Sequence, residues 1–183
     1  NTIGSYAFKN ATALTTIAIP DTVTTFGSSA FYETTSLNSI TFGANSQLNS
    51  IGDYAFRYAS ALTTIAIPDT VTTIGTYAFY GTSNLISVTF GANSQLTIIE
   101  RFAFYQASAL TSIAIPDLVT SIGSSAFSNA TELASITFGA SSQLNTIEDY
   151  TFWNATSLTS IIIPDTVNTI GNYAFFATSL TSI

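Results

Sequence analysis

The chain has no cysteine, no histidine and no methionine, and only three of its 183 residues carry positive charge, Lys9, Arg57 and Arg101. Each absence removes a class of chemistry. Without cysteine there are no disulfides, no thiolate metal ligands and no sign of a redox compartment. Without cysteine or histidine the usual pairings of nucleophile and base cannot be assembled, and the many serines lack a partner base. Ten acids against three cations leave a formal charge of −7. Such a surface cannot displace the counterions of a nucleic acid, so no nucleic-acid partner is expected. No apolar run is longer than a few residues, so no membrane insertion is expected either. Hydrophobic residues make up 46% and charged residues 7%, which excludes ordinary disorder, where low hydrophobicity meets high charge.

Proline is also scarce, and its placement is regular. Pro20, Pro68, Pro116 and Pro164 lie 48 residues apart. Each sits in one copy of a stretch best seen at Thr63–Phe79, TTIAIPDTVTTIGTYAF, which returns at Thr15–Phe31, Thr111–Phe127 and Thr159–Phe175. A second variant fills the space between, at Asn38–Phe56, Ile86–Phe104 and Ala134–Phe152. Aligned on Leu14, Leu37, Leu62, Leu85, Leu110, Leu133, Leu158 and Leu180, the spacings run 23, 25, 23, 25, 23, 25 and 22. Residues 1–183 therefore read as one array of about eight rungs of alternating length, with a 48-residue super-repeat. Asn1–Gly4 matches Asn49–Gly52, late in a long rung, and Thr181–Ile183 matches Asn38–Ile40, the opening of one. No polar cap of the kind that closes a solenoid is visible at either end. The register predicts a segment of a longer array, or open ends that meet other copies.

Within a rung, Leu62, Ile65 and Ile67 follow L-x-x-I-x-I, the pattern of a leucine-rich repeat whose short strand turns alternate side chains inward. Each strand can pair only with its equivalent in the next rung, giving a parallel sheet with a spacing of about 4.8 Å. Pro68 ends the strand because it brings no N–H and fixes φ. Phe42-Gly43, Phe90-Gly91 and Phe138-Gly139 hold the same place in the long rungs, where glycine permits the turn. Val71, Ile74 and Phe79 recur as inward positions. Thr76–Tyr80 is too short for a stable helix, so a turn or a single helical turn is expected on the convex side. Phe8, Phe31, Phe56, Phe79, Phe104, Phe127, Phe152 and Phe175 form one internal column, each worth roughly 1.5–3 kcal/mol on burial.

The run I-x-I-P-D-x-V-T-x-I-G-x-x-A-F-x-x-x-x-x-L, read at Ile65–Leu85 and its copies, resembles the BspA-type (Treponema pallidum type) leucine-rich repeat over essentially the whole chain. The resemblance implies a leucine-rich-repeat solenoid, a right-handed coil of mostly short parallel β-strands with irregular or 3-10 turns on its convex side. It also implies a secreted or surface-exposed protein of bacteria or parasitic protists that adheres to host proteins or other cells. The cysteine often found three residues after the A-F phenylalanine is here Ala11, Thr34, Ala59, Thr82, Ala107, Ala130 and Ala155, small residues that should pack as well. The family brings no shared catalytic site.

The residues themselves offer little chemistry, and no catalytic, metal or cofactor residue is expected. Glu148-Asp149, the one adjacent acidic pair, reads as a solvated turn, because general acid work needs a buried or coupled carboxyl. Asp21, Asp69, Asp117 and Asp165 follow the prolines two rungs, about 10 Å, apart. Calcium needs six or more converging oxygens, so these carboxylates are expected to accept nearby backbone N–H groups. Asn10, Asn129 and Asn154 fit N-x-[ST], but their recurrence at one repeat position points to a turn.

Two surfaces remain as candidates. The outward strand positions form two columns of small uncharged residues on one face, with a candidate hydroxyl ladder at Thr16, Thr41, Thr64, Thr89, Ser112, Thr137 and Ser160. It serves either β-propensity and solubility or contact with an extended partner. A second stripe follows the core phenylalanine at Tyr32, Tyr80, Tyr105, Trp153 and Phe176, interrupted by Lys9, Arg57 and Ser128. Since the preceding phenylalanine points inward, this stripe is expected near the surface, packed between rungs or touching protein or glycan. The leading expectation is a non-enzymatic, extracellular or cell-surface repeat protein that mediates adhesion to an extracellular protein or glycan. The rival is a structural fibre or sheath formed by end-to-end self-association, since unblocked sheet edges recruit strands and heterologous contacts propagate.

Overall fold

The computed structural model describes residues 1–182, so the part of the closing match that falls on Ile183 lies outside the described residues. No helix occurs among the described residues. From Thr16 to Ile147 each rung contains two strands of unequal length and one turn segment; in the next rung the longer strand is reduced to a single bridge from Ser160 to Ser182. Each of the three parts forms a ladder along the solenoid.

The first ladder comes from the L-x-x-I-x-I strands. Thr64–Ile67 pairs parallel with Ser87–Phe90, as Thr16–Ile19 does with Ser39–Phe42 and Ser112–Ile115 with Ser135–Phe138. In each pair all four residues are in register, Thr64 with Ser87 and Ile67 with Phe90. Pairing between super-repeats is thinner: a single register pair joins Ser87 to Ser112, and none joins Ser39–Phe42 to Thr64–Ile67. The 48-residue super-repeat is thus a physical unit on this side of the solenoid.

The second ladder joins the units. Thr-Ile dipeptides such as Thr73–Ile74 form an eight-stranded parallel sheet that runs from Thr2–Ile3 to Thr169–Ile170. Its strands are two residues long, and in the middle of the array the second residue is fully buried, as at Ile51, Ile74, Ile99 and Ile122.

The third ladder runs through the turns. The N–H groups of Tyr77, Phe79 and Gly81 donate to the carbonyls of Arg101, Ala103 and Tyr105 in the next rung, at 3.2, 2.7 and 2.8 Å. The intervening N–H groups of Ala78, Tyr80 and Thr82 close four-residue turns within the rung onto Gly75, Tyr77 and Phe79. This alternation answers where the backbone donors of a non-helical, partly buried segment go. It requires left-handed backbone twice per rung, at Tyr77 (φ 58°) and at Gly81 (φ 69°), and the same two positions are left-handed in the other rungs. Asn10, Asn129 and Asn154, at φ 58°, 59° and 59°, occupy the second of them, where asparagine is among the better tolerated residues. The convex turns are therefore neither 3-10 nor α-helical.

The core is a set of columns along the solenoid. Phe31, Phe56, Phe79, Phe104, Phe127 and Phe152 are fully buried, and successive rings stack face to face at centroid distances of 5.0–5.5 Å. Leu62, Leu85 and Leu110 form a second fully buried column. Thr34 and Thr82 are also fully buried, and their hydroxyls donate to the Phe31 and Phe79 carbonyls at 2.8 Å, so neither polar group is stranded.

Asp21, Asp69 and Gly43 depart from the sequence reading. The Asp21 and Asp69 carboxylates do not accept backbone N–H bonds. One oxygen of each is enclosed without a hydrogen-bond partner and lies against the glycine of the next rung, Gly43 or Gly91, where a Cβ would run into it. Gly43 and Gly91 serve this close approach and not a positive φ, which neither has. The capping role falls to other aspartates. Asp53 accepts the Thr76 N–H at 2.8 Å and Asp149 the Asn172 N–H at 2.5 Å, so Asp149 ties two rungs together.

Candidate functional site

The turn ladder sets what the chain shows to its surroundings. Because Ala78 and Phe79 point inward, Tyr77 and Tyr80 on either side of them point outward, and Tyr58 of the preceding rung covers Gly81. Repeated rung by rung, this gives two parallel columns of rings. One contains Tyr32, Tyr80, Tyr105, Trp153 and Phe176. The other contains Tyr6, Tyr54, Tyr77, Phe102, Tyr150 and Tyr173, the left-handed positions two residues before each core phenylalanine.

Rings within a column stack at the rung spacing. Tyr54 and Tyr77 are 5.0 Å apart, Tyr77 and Phe102 4.7 Å, Tyr80 and Tyr105 4.9 Å. The columns touch edge to face at Phe102 and Tyr105, 5.6 Å apart, and Tyr58, at the Gly81 position, packs edge-on to Tyr80 at 5.4 Å. Of the stripe residues, Tyr32, Tyr80 and Tyr105 join one continuous patch. Trp153 is separated from it by Ser128, and Phe176 lies beyond, edge-on to Tyr173 at 5.8 Å. Sequence reasoning missed the second column and Tyr58. The signal was present in G-x-[YF]-A-F, whose aromatic two residues before the phenylalanine recurs as regularly as the one after it.

Arg57 occupies the centre of the patch. Its guanidinium lies 4.8 Å from the Tyr58 ring, 4.9 Å from Tyr80, 5.5 Å from Tyr32, 5.6 Å from Tyr54 and 5.9 Å from Tyr77. In the stripe column it stands where a ring would stand, so the planar cation continues the stack between Tyr32 and Tyr80. Nη2 donates to the Tyr58 hydroxyl at 3.4 Å, while Nε is enclosed and meets no acceptor. Burial by itself lowers the Arg57 pKa, but the Tyr58 hydroxyl and the surrounding phenols raise it above its ordinary value. Tyr80 is raised by burial and then by Tyr58, and Tyr32 by burial and then by the neighbouring Glu33 carboxylate. These phenols stay neutral donors at physiological pH. Lys9 adds a second cation, 5.1 Å from the Tyr32 ring.

The strand face is arranged differently. Thr16, Thr41, Thr64, Thr89, Ser112, Thr137 and Ser160 are all exposed, but the register divides them between two columns. Thr16 pairs with Ser39 and Ala18 with Thr41; Thr64 pairs with Ser87 and Ala66 with Thr89. The seven residues therefore zigzag, and Thr41, Thr89 and Thr137 each sit beside alanine in a column that reaches Ile162, 87% exposed. This face is not a single hydroxyl ladder. Beside it run three open grooves of about 880, 470 and 590 Å³ where Pro68-Asp69, Pro116-Asp117 and Pro164-Asp165 lie in the walls.

A parallel solenoid of near-identical rungs with an L-x-x-I-x-I strand in each defines a leucine-rich repeat protein. The model of the BspA-type leucine rich repeat region matches residues 1–96 and 89–183, and the chain belongs to that family. Among solved structures it is similar to a leucine rich cell surface protein from Faecalibacterium prausnitzii, with 29% identity and a TM-score of 0.59 over 100% of this chain and 64% of that one. It is also similar to the leucine rich repeat protein of T. pallidum, with 23% identity and a TM-score of 0.63 over 93% of this chain and 66% of that one. The pneumococcal vaccine antigen PcpA matches with 20% identity and a TM-score of 0.50 over 98% of this chain and 66% of its own. The chain thus spans just under two thirds of each of these solved chains. Comparison with curated proteins finds no match.

Proposed function

We propose that the chain is a non-enzymatic repeat region, extracellular or on a cell surface, that adheres to a protein or glycan through its aromatic turn face. The observation that carries this reading is the composition of that face. All three cations of the chain, Lys9, Arg57 and Arg101, fall in turn segments, and two of them, Lys9 and Arg57, lie over tyrosine rings of the stacked face. Tyrosine and arginine are the residues that dominate recognition surfaces, because they give large contact area and directed donors for little lost conformational freedom. Here stacking between rungs has already fixed those side chains, so a partner meets an ordered surface. The cell-surface relative from F. prausnitzii supports the location. The test is binding of the chain to an array of immobilised extracellular-matrix proteins and glycans, compared with a Tyr80→Ser/Tyr105→Ser variant. Loss of about tenfold or more in affinity with an unchanged fold is expected; equal binding by the variant rejects the face.

A further inference from the structure

The strand side of the solenoid closes only at every other step. From a short rung, the kind that carries proline, to the long rung after it, all four strand residues pair in register. The loops beyond the strands are tied as well. Gln47, Gln95 and Gln143 donate their N–H groups to the carbonyls of Asp21, Asp69 and Asp117 at 3.0, 2.8 and 2.8 Å. From a long rung to the next short one, this side is nearly unjoined. No register pair links Ser39–Phe42 to Thr64–Ile67 or Ser135–Phe138 to the Ser160 rung, and one pair links Ser87–Phe90 to Ser112–Ile115.

The residue before each strand shows the same alternation. Across the closed steps Asn38, Ile86 and Ala134 donate to the carbonyls of Thr15, Thr63 and Thr111 at 2.9, 2.8 and 2.9 Å. Across the open steps Thr111 reaches the Ile86 carbonyl at 3.3 Å, while the N–H groups of Thr63 and Thr159 have no partner among the described residues. Threonine hydroxyls span two of these junctions, Thr70 reaching the Ser46 and Leu48 carbonyls at 3.2 and 2.6 Å and Thr166 the Ser142 carbonyl at 3.3 Å. Leu118 holds that place at the middle one. The three grooves of the strand face lie along the junctions, and the one beside the single register pair is the smallest, 470 Å³ against 880 and 590 Å³.

The other two ladders do not alternate. The two-residue strands form one sheet of eight, the turn ladder repeats from rung to rung, and the core rings stack at 5.0–5.5 Å across both kinds of step. Parting two rungs therefore breaks the same turn, sheet and core contacts wherever it happens, and the strand side decides where it is easiest. At a closed step it also breaks the four-residue pairing, the glutamine bond and the aspartate–glycine contact. At a junction it breaks at most one register pair or one threonine's bonds. Opening begins where the fewest contacts cross.

We propose that the three junctions are hinges, at which the solenoid opens on its strand side and, under tension along its axis, yields in units of one super-repeat. The turns and the short strands form the continuous spine about which it bends. This compliance is independent of which face binds a partner.

Two measurements on the whole chain test it. In hydrogen exchange followed by NMR, protection factors at Thr63 and Thr159 are expected at least tenfold below those at Asn38, Ile86 and Ala134, with Thr111 between. All six residues are exposed, so exposure alone does not separate them. With the chain held by its ends in optical tweezers, internal unfolding steps of 48 residues are expected, each releasing about 160–170 Å of extended chain. Equal protection at the six amides would mean that the junctions are closed. Steps of single rungs, or one step for the whole array, would mean that the super-repeat is not the yielding unit. Either result overturns the proposal.

Discussion

Replacing Phe79 by alanine removes a ring from the middle of the internal column. That ring is fully buried, stacked on Phe56 at 5.2 Å and on Phe104 at 5.0 Å, and its rung is held to the next by the Phe79 N–H to Ala103 bond of 2.7 Å. Truncating a buried phenylalanine costs about 3–5 kcal/mol, transfer and cavity together. The upper half of that range is expected, because two stacking contacts of about 0.5–1.5 kcal/mol each are lost and the neighbouring backbone is tied into three ladders that resist collapse around the cavity. For a chain of this size the loss lowers the melting temperature by roughly 8–20 °C. Circular dichroism melting of the parent, Phe79→Ala and Phe79→Leu measures it, with the leucine variant in between. If Phe79→Ala melts with the parent, the column does not hold the rungs together and the packing argument fails.

The aspartate–glycine contact between rungs gives a coupled pair. Gly91→Ala should destabilise by about 1–3 kcal/mol through overpacking on Asp69, and Asp69→Ala in the same chain should restore most of it; urea titration of the double-mutant cycle reads the coupling. Gly81→Ala should cost about 1–2 kcal/mol, since φ is 69° and a Cβ would meet Tyr58 Cδ1 at 2.5 Å. Part of that cost should return in a Tyr58→Ser background, because Ala177 holds the equivalent left-handed position at φ 56°. Tyr32 and Tyr80 should ionise above the ordinary tyrosine value in a phenolate absorbance titration. In the alkaline range the unfolded chain loses these protons first. Their contribution to stability is thus full below about pH 10 and declines as pH rises from there through the folded-state values. Ionisation of both at the ordinary tyrosine value would contradict the burial.

What the sequence made legible follows its periods. Leu62, Ile65, Ile67 and Phe79 were readable as core because burial repeats at every rung and no other arrangement buries all copies. The Thr73–Ile74 strand was not readable as a strand, since two residues are too few to show alternation, and it forms only because seven equivalents lie beside it. The left-handed turn at Tyr77 was hidden for a different reason: tyrosine disfavours that backbone by itself, and the inter-rung hydrogen bonds impose it. This is why the Tyr80 stripe is legible from its place after the core phenylalanine, while the Tyr77 column reads as part of a turn. The Asp69–Gly91 contact spans 22 positions, and neither residue type announces it.

The most direct measurement compares the two faces on one array of matrix proteins and glycans. Tyr80→Ser/Tyr105→Ser alters the turn face, and Thr64→Glu/Thr89→Glu alters the strand face. Binding lost in the first variant and kept in the second is the predicted result. Binding kept in the first and lost in the second would place recognition on the strands and contradict the assignment of the aromatic face.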